Sequence, residues 1–308
     1  MMKNLPHYRL LVLIALGAAC TGCARSSGTA VWIDQEEVAS LRKSLGGEAA
    51  GKTEVVVAAE PTGFATIKGT FKLVGTAPAR VPLSITKDMN ICMPGGTQVL
   101  NEHLVVAPGG GIKDVLIFCN SKFPAGDPKW EHPDYATAKA EKMLFDQKSC
   151  VFLTHVVAAR TGQTVLLKNS DSVGHNANIV AKGKALSSNF NIGGNSTSDY
   201  LVTGESAEPF DVSCSVHPWM AAKMITRDNP CFAVTKADGS FEIKNVPAGV
   251  PLDFKIWQES SNFISVATIN GKVVKLPKGK LTLKDKDLLK PNEQRTLEVT
   301  VDVSVFAR

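Results

Sequence analysis

From Phe64 onward β signals dominate this chain, and the three- and four-residue recurrence of an amphipathic helix is nearly absent beyond residue 46. A two-residue period puts alternate side chains on opposite faces, so such a chain folds by laying sheets against one another. Ala65–Val74 alternates as a half-buried strand does, and Val115–Cys119, Val151–Ala159 and Thr164–Lys168 read as further strands. Val105–Gly111 is a Pro/Gly turn. Pro124–Ala140 is polar and loop-like, with one helical turn after Pro133. The expected class is all-β.

Into that pattern the chain sets Cys214-Ser-Val-His217-Pro-Trp-Met220, with His175 in Val-Gly-His-Asn upstream. Pro209–Cys214 reads as a strand that delivers Cys214 at its end. A short turn from Ser215 to Trp219 then returns His217 and Met220 over the same point. His175 follows the strand-like Gln163–Asn169 and a turn at Ser170–Gly174, so two loops at one end of a β-sandwich close on each other. One thiolate, two imidazoles and one thioether form the donor set of a trigonal His₂Cys site with a weak axial Met, which suits copper. Zinc has no use for a thioether, and iron–sulfur clusters want several thiolates. Met224 competes for the axial role, but it lies in the strand-like Ala222–Thr226.

These residues resemble the cupredoxins, the type 1 blue copper proteins, and among them the amicyanin-like and plastocyanin-like members. The resemblance covers roughly residues 150–227 and implies a Greek-key β-sandwich. It implies His175, Cys214, His217 and Met220 as ligands of one copper, and Asn176 as the residue that braces the loops near the thiolate. It also implies that His217 lies near the surface as the electron port, with Pro218 and Trp219 beside it as an apolar patch for a transient redox partner.

A second likeness follows the metal loop. Phe232–Gly249 resembles the carboxypeptidase-regulatory-like, transthyretin-type β-sandwich, through Thr-x-x-Asp-Gly-x-Phe-x-Ile-x-x-Val-Pro-x-Gly. Asp238-Gly239 makes its hairpin turn. Ala65–Glu259 as a whole is similar to exported, methylamine-utilisation-like proteins in which both elements occur. Many of those read Trp-His-Glu where this chain has Trp257-Gln258-Glu259.

The start of the chain carries targeting signals. Lys3 and Arg9 precede an apolar core at Leu10–Ala19, too short to span a membrane. Thr21-Gly22-Cys23 places a cysteine where a bacterial lipoprotein is lipidated; Ala19-Cys20 and simple secretion are the alternatives. The expected location is therefore exported, periplasmic or at the cell surface, with a lipid anchor on Cys23. The formal charge of +5 falls to +3 without Lys3 and Arg9, which gives no support for nucleic-acid binding. Five cysteines remain beyond the leader, and an odd number in an exported chain leaves one for another task. Cys214 has that task. Cys92 with Cys150 is the preferred disulfide, and Cys119 and Cys231 pair or stay buried thiols.

The organisation read from these signals is a leader at 1–23, a short helix (about 35–45) and linker to 60, and an N-terminal β region at 61–145. A copper-binding core at 146–228 and a C-terminal β region at 229–308 follow. The associated β-sandwich is transthyretin- or Ig-like. The lysines of 272–290 guard exposed strand edges or dock an acidic partner. His103, His132 and His155 show no paired spacing for a second metal. The function these features imply is one-electron transfer by a monomer, not catalysis. A copper carrier or store, and a structural or carbohydrate-binding sandwich with a vestigial metal loop, are the alternatives.

Overall fold

The computed structural model describes residues 59–306 except 125. The leader, Cys23 and the helix expected near 35–45 lie outside the described residues. β1 (Gly63–Val74) and β2 (Leu116–Cys119) are separated by an excursion that carries the four-residue helix α1 (Met89–Cys92). After α2 (Asp134–Ala140) come β3 (Met143–Lys148), β4 (Val151–Phe152), β5 (Val156–Arg160), β6 (Thr164–Asn169), β7 (His175–Val180) and β8 (Ser188–Ile192). They lead to β9 (Thr197–Leu201), β10 (Phe210–Ser213) and β11 (Ala221–Arg227). The chain ends with β12 (Phe232–Val234), β13 (Ser240–Ala248), β14 (Leu252–Gln258), β15 (Asn262–Phe263), β16 (Val266–Ile269), β17 (Lys272–Lys275), β18 (Lys280–Leu283) and β19 (Gln294–Asp302). The fold is all-β.

Four sheets make two sandwiches. In the first, the sheet β13-β1-β19-β16-β17 packs on β12-β2-β14-β15, with β18 on β14, around Ile67, Phe71, Phe241, Ile243 and Phe254. In the second, β5-β11-β10-β7-β8 packs on β4-β3-β6-β9 around Phe145, Phe152, Leu167, Ile179, Phe210 and Met224. The second holds the Greek key: β8 crosses to the other sheet through β9, and the chain returns as β10 beside β7. A third apolar cluster, Leu116, Phe118, Val156, Ala158, Ile225 and Trp257, joins the sandwiches. This explains why β2 and β5 lack polar alternation. Ile117 and Val157 serve the two inner cores, while Leu116, Phe118, Val156 and Ala158 serve the junction, so both faces are buried.

Two features depart from the sequence pattern. The 61–145 and 229–308 regions are joined: β1 lies between β13 and β19, and β2 between β12 and β14. The β1–β19 pairing is parallel and links Gly69 to Leu297, a separation no local pattern encodes. The single strand expected at Val151–Ala159 is also split. β4 pairs with β3 in one sheet and β5 with β11 in the other, so Leu153–His155 is the corner where the chain changes sheets. Asp238-Gly239 does form a tight turn. Gly239 has φ 82°, and a Cβ there would meet the Phe71 carbonyl oxygen at 2.3 Å, so only glycine fits. β17 forms a sheet edge with Lys272 and Lys275 exposed, the placement that discourages further strand pairing.

Candidate metal centre

Strand ends build the site. β10 stops at Ser213, which pairs with Ala221 at the start of β11, so residues 214–220 form the connecting loop. Two backbone bonds fold it tightly: Met220 N–H donates to the His217 carbonyl (2.9 Å), and Cys214 N–H to the Met220 carbonyl (3.2 Å). His175 opens β7, the neighbour of β10. Neighbouring strands therefore bring His175 and the 214–220 loop to one end of the second sandwich. Cys214, Met220, His175 and His217 are all buried, none more than 2% exposed.

Three donor atoms converge. His175 Nδ1 lies 2.8 Å from His217 Nδ1, and Cys214 Sγ lies 4.0 Å from His217 Nδ1. The three ligand atoms of His175, Cys214 and His217 all fall within 4.8 Å of one another. Burial pushes the Cys214 thiol up. Hydrogen bonding from the His175 ring, the Asn176 and His217 N–H groups and the His217 ring outweighs it, bringing the pKa down to about 6. The group is then a thiolate at neutral pH, the form that binds metal. The two N–H donors each lie 3.4 Å from the sulfur. Asn176 also accepts from Ser215 N–H at 2.6 Å through its side-chain oxygen, tying the 214–220 loop to β7.

Carboxylates hold the outer edges of both rings. His175 Nε2 is 2.8 Å from Asp171 and His217 Nε2 is 2.9 Å from Asp88. When the site takes a metal, a proton held on each Nε2 by its carboxylate would leave the two inward-facing Nδ1 atoms free to bind it. Asp171 also accepts from Ser149 N–H (2.7 Å) and Cys150 N–H (2.9 Å). Those two residues form the turn between β3 and β4, both with φ near 50°. Positive φ in two successive non-glycine residues is uncommon and persists where the surroundings enforce it. Here they are the two central residues of the tight β3–β4 hairpin turn, whose geometry asks for positive φ at both, and Asp171 accepts from their N–H groups. The donor set thus fits copper: one thiolate, two imidazoles whose Nδ1 atoms face inward, and a thioether from the same loop.

Met224 does not share the loop. It pairs with Phe210 inside the sheet, four strand residues before Cys214, or about 13 Å at ~3.3 Å per residue. Met220 remains the candidate thioether ligand.

The structure joins Cys92 to Cys150, while Cys119 and Cys231 are free and buried. Burial raises both of those thiols, Cys119 to about 11. One expectation is corrected. His217 is not at the surface; its side chain is 0% exposed, covered by Asp88 and packed edge-on against Trp219 at 5.2 Å. The covering segment comes from the excursion before β2, which the resemblance does not span. Pro218 is exposed, whereas Trp219 turns inward and donates its ring N–H to the Cys150 carbonyl at 3.1 Å. Among the described residues, His103, His132 and His155 form no group of converging ligands. His155 is instead buried in an ion pair with Glu259, which also holds Lys223 at 3.3 Å. Asp171 was legible in principle, as a carboxylate four residues before His175; Asp88 carried no signal.

No family model and no curated protein matches the chain. Similar solved structures include the Cu-containing nitrite reductase from Thermus scotoductus SA-01, at 17% identity over 28% of this chain and 22% of that chain, with TM-score 0.26. This chain thus spans less than a quarter of that protein. Others are amicyanin mutants. A reduced Cu(I) form at pH 4 is 20% identical over 36% of this chain and 97% of that chain (TM-score 0.25). An oxidised form is 18% identical over the same shares, also with TM-score 0.25.

Proposed function

We propose that this chain is an exported type 1 copper protein that carries single electrons between transient redox-protein partners. The observation that carries the reading is the buried convergence of the Cys214 thiolate with inward-facing His175 and His217 imidazoles. Copper bound there supplies reversible one-electron exchange between Cu(I) and Cu(II). Cys214, His175 and His217 would hold it, with Met220 as the candidate thioether ligand. Asn176 keeps the two loops in register, and Asp171 fixes the His175 tautomer. Bracing of this kind limits rearrangement of the ligands between oxidation states. Export, a lipid on Cys23 that keeps the monomer at a membrane, and the carrier role rather than catalysis belong to the same proposal.

Copper delivery is the competing reading, and burial speaks against it. Ligands no more than 2% exposed favour retention, whereas a delivery protein wants an open, exchangeable site. A Cu(I)-chelator competition run beside cyclic voltammetry tests the difference. Reversible cycling with copper retained is expected. Rapid surrender of Cu(I) to a chelator of modest affinity would falsify the carrier role.

A further inference from the structure

The excursion between β1 and β2 is a built strap. At its base Leu83 N–H donates to the Val99 carbonyl (2.8 Å) and Asn101 N–H to the Val81 carbonyl (2.9 Å). Arg80 clips the same base through the carbonyls of Leu100 and Asn101. Its tip carries α1, and Cys92 at the end of α1 is bonded to Cys150 in the β3–β4 turn. Ile85 and Ile91 pack on the core of the second sandwich. Asp88, immediately before α1, adopts φ 51° and meets His217 Nε2 at 2.9 Å. The ligand side chain is 0% exposed, and the Asp88 side chain is 39% exposed. Asp88 therefore stands between the outer edge of the His217 ring and solvent. It lines a shallow cleft of about 430 Å³ with Gly174, His175, Asn191, Gly193 and Val216.

We propose that Asp88 is a positioning residue for the metal centre: delivered by the disulfide-tied strap, it seals His217 from water, locks its tautomer and biases the centre towards the oxidised ion. The inference rests on the copper reading above and deepens it. The physical cause is charge. A carboxylate on the outer N–H makes the imidazole a stronger base and a better donor to the higher charge of Cu(II), and favours Cu(I) less. The strain of a non-glycine residue at positive φ is borne where the strap must turn Asp88 towards the ring. Two separate tethers on one short segment, a disulfide and a carboxylate on a ligand, mark it as part of the site and not a passing loop.

The test compares wild type, Asp88→Asn and Asp88→Glu, with Glu208→Gln as a control that removes an exposed charge without touching an imidazole. Asparagine can still accept from Nε2–H but carries no charge. The ratio of Cu(II) to Cu(I) affinity, read from the reduction potential and from chelator titrations, should fall about tenfold in Asp88→Asn, the lower end of the usual effect of losing such a partner. Asp88→Glu should recover most of it, and Glu208→Gln should leave it unchanged. A blue Asp88→Asn protein with the wild-type ratio overturns the inference while the copper reading stands. A wild-type protein that never turns blue defeats the copper reading and leaves a metal-free readout to decide on Asp88. That readout is the ¹⁵N shift of the His217 ring. A protonated, hydrogen-bonded Nε2 in wild type that is lost in Asp88→Ala supports the role, and its absence from wild type overturns it, whether or not any variant folds poorly.

Discussion

Replacing Cys92 and Cys150 together by alanine opens a cross-link that spans 58 residues. In the chain-entropy picture, closing a loop of that length lowers the entropy of the unfolded chain by an amount worth about 4 kcal/mol at 25 °C. The cross-link is also completely buried, with both half-cystines at 0% exposure, so native packing adds to the loss and the bond is shielded from reductants. For a chain of this size each kcal/mol moves the midpoint by roughly 2–4 °C, so the double variant should melt roughly 10 °C lower. Urea unfolding of metal-free protein is the assay. The midpoint should fall and the slope should rise, because an uncross-linked denatured chain exposes more surface. A loss under about 1 kcal/mol would be too small for a cross-link of this span. It would mean that the strap's base pairing and the packing of Ile85 and Ile91 already confine the segment, and that the disulfide is not what holds the tip.

Two further outcomes are expected. Met220→Leu should raise the reduction potential while the protein stays blue, whereas Met224→Leu, a volume-conserving change in the sheet interior, should cost less than about 1.5 kcal/mol and leave the potential alone; a shift with Met224 and none with Met220 would reverse the axial assignment. The His155–Glu259 pair makes stability pH-dependent. Burial opposes charge on both groups. Glu259, with Glu102 and Asp114, nevertheless raises His155 above 6.5, and His155, with Lys223, lowers Glu259 below 4.5. The His155 contribution is full below pH 6.5 and lost as pH rises through its folded value. The Glu259 contribution is present above 4.5 and lost as pH falls through its own. The melting-temperature gap between wild type and His155→Gln should therefore be widest between about pH 4.5 and 6.5, and a gap that is flat with pH would contradict the assignment.

The candidate metal centre was readable because the proposed donors are rare residue types packed into seven positions, with the remaining imidazole at a strand end. Asn176 followed from its place beside His175. The strap could not be read, because Asp88 reaches His217 across 129 residues and its sequence shows no periodicity. That single contact also undid the expectation that His217 faces solvent, since whether a loop residue is covered depends on a segment outside the resembling stretch. The interleaving of the first sandwich was hidden for a similar reason. β1 and β19 each alternate as ordinary strands, and nothing local tells that they pair. The corner at Leu153–His155 escaped because Val151–Ala159 is apolar throughout, and only the change of partner from β3 to β11 breaks it.

The proposed function stands on Cys214, His175 and His217 binding one copper as a thiolate-bearing centre. Titrating Cu(II) into the purified mature protein while recording visible and paramagnetic spectra addresses it directly. One equivalent should bind, with intense thiolate-to-copper absorption in the visible, and Cys214→Ser should lose that band. Stoichiometric copper in a colourless wild-type protein, or a band that survives Cys214→Ser, would contradict the account.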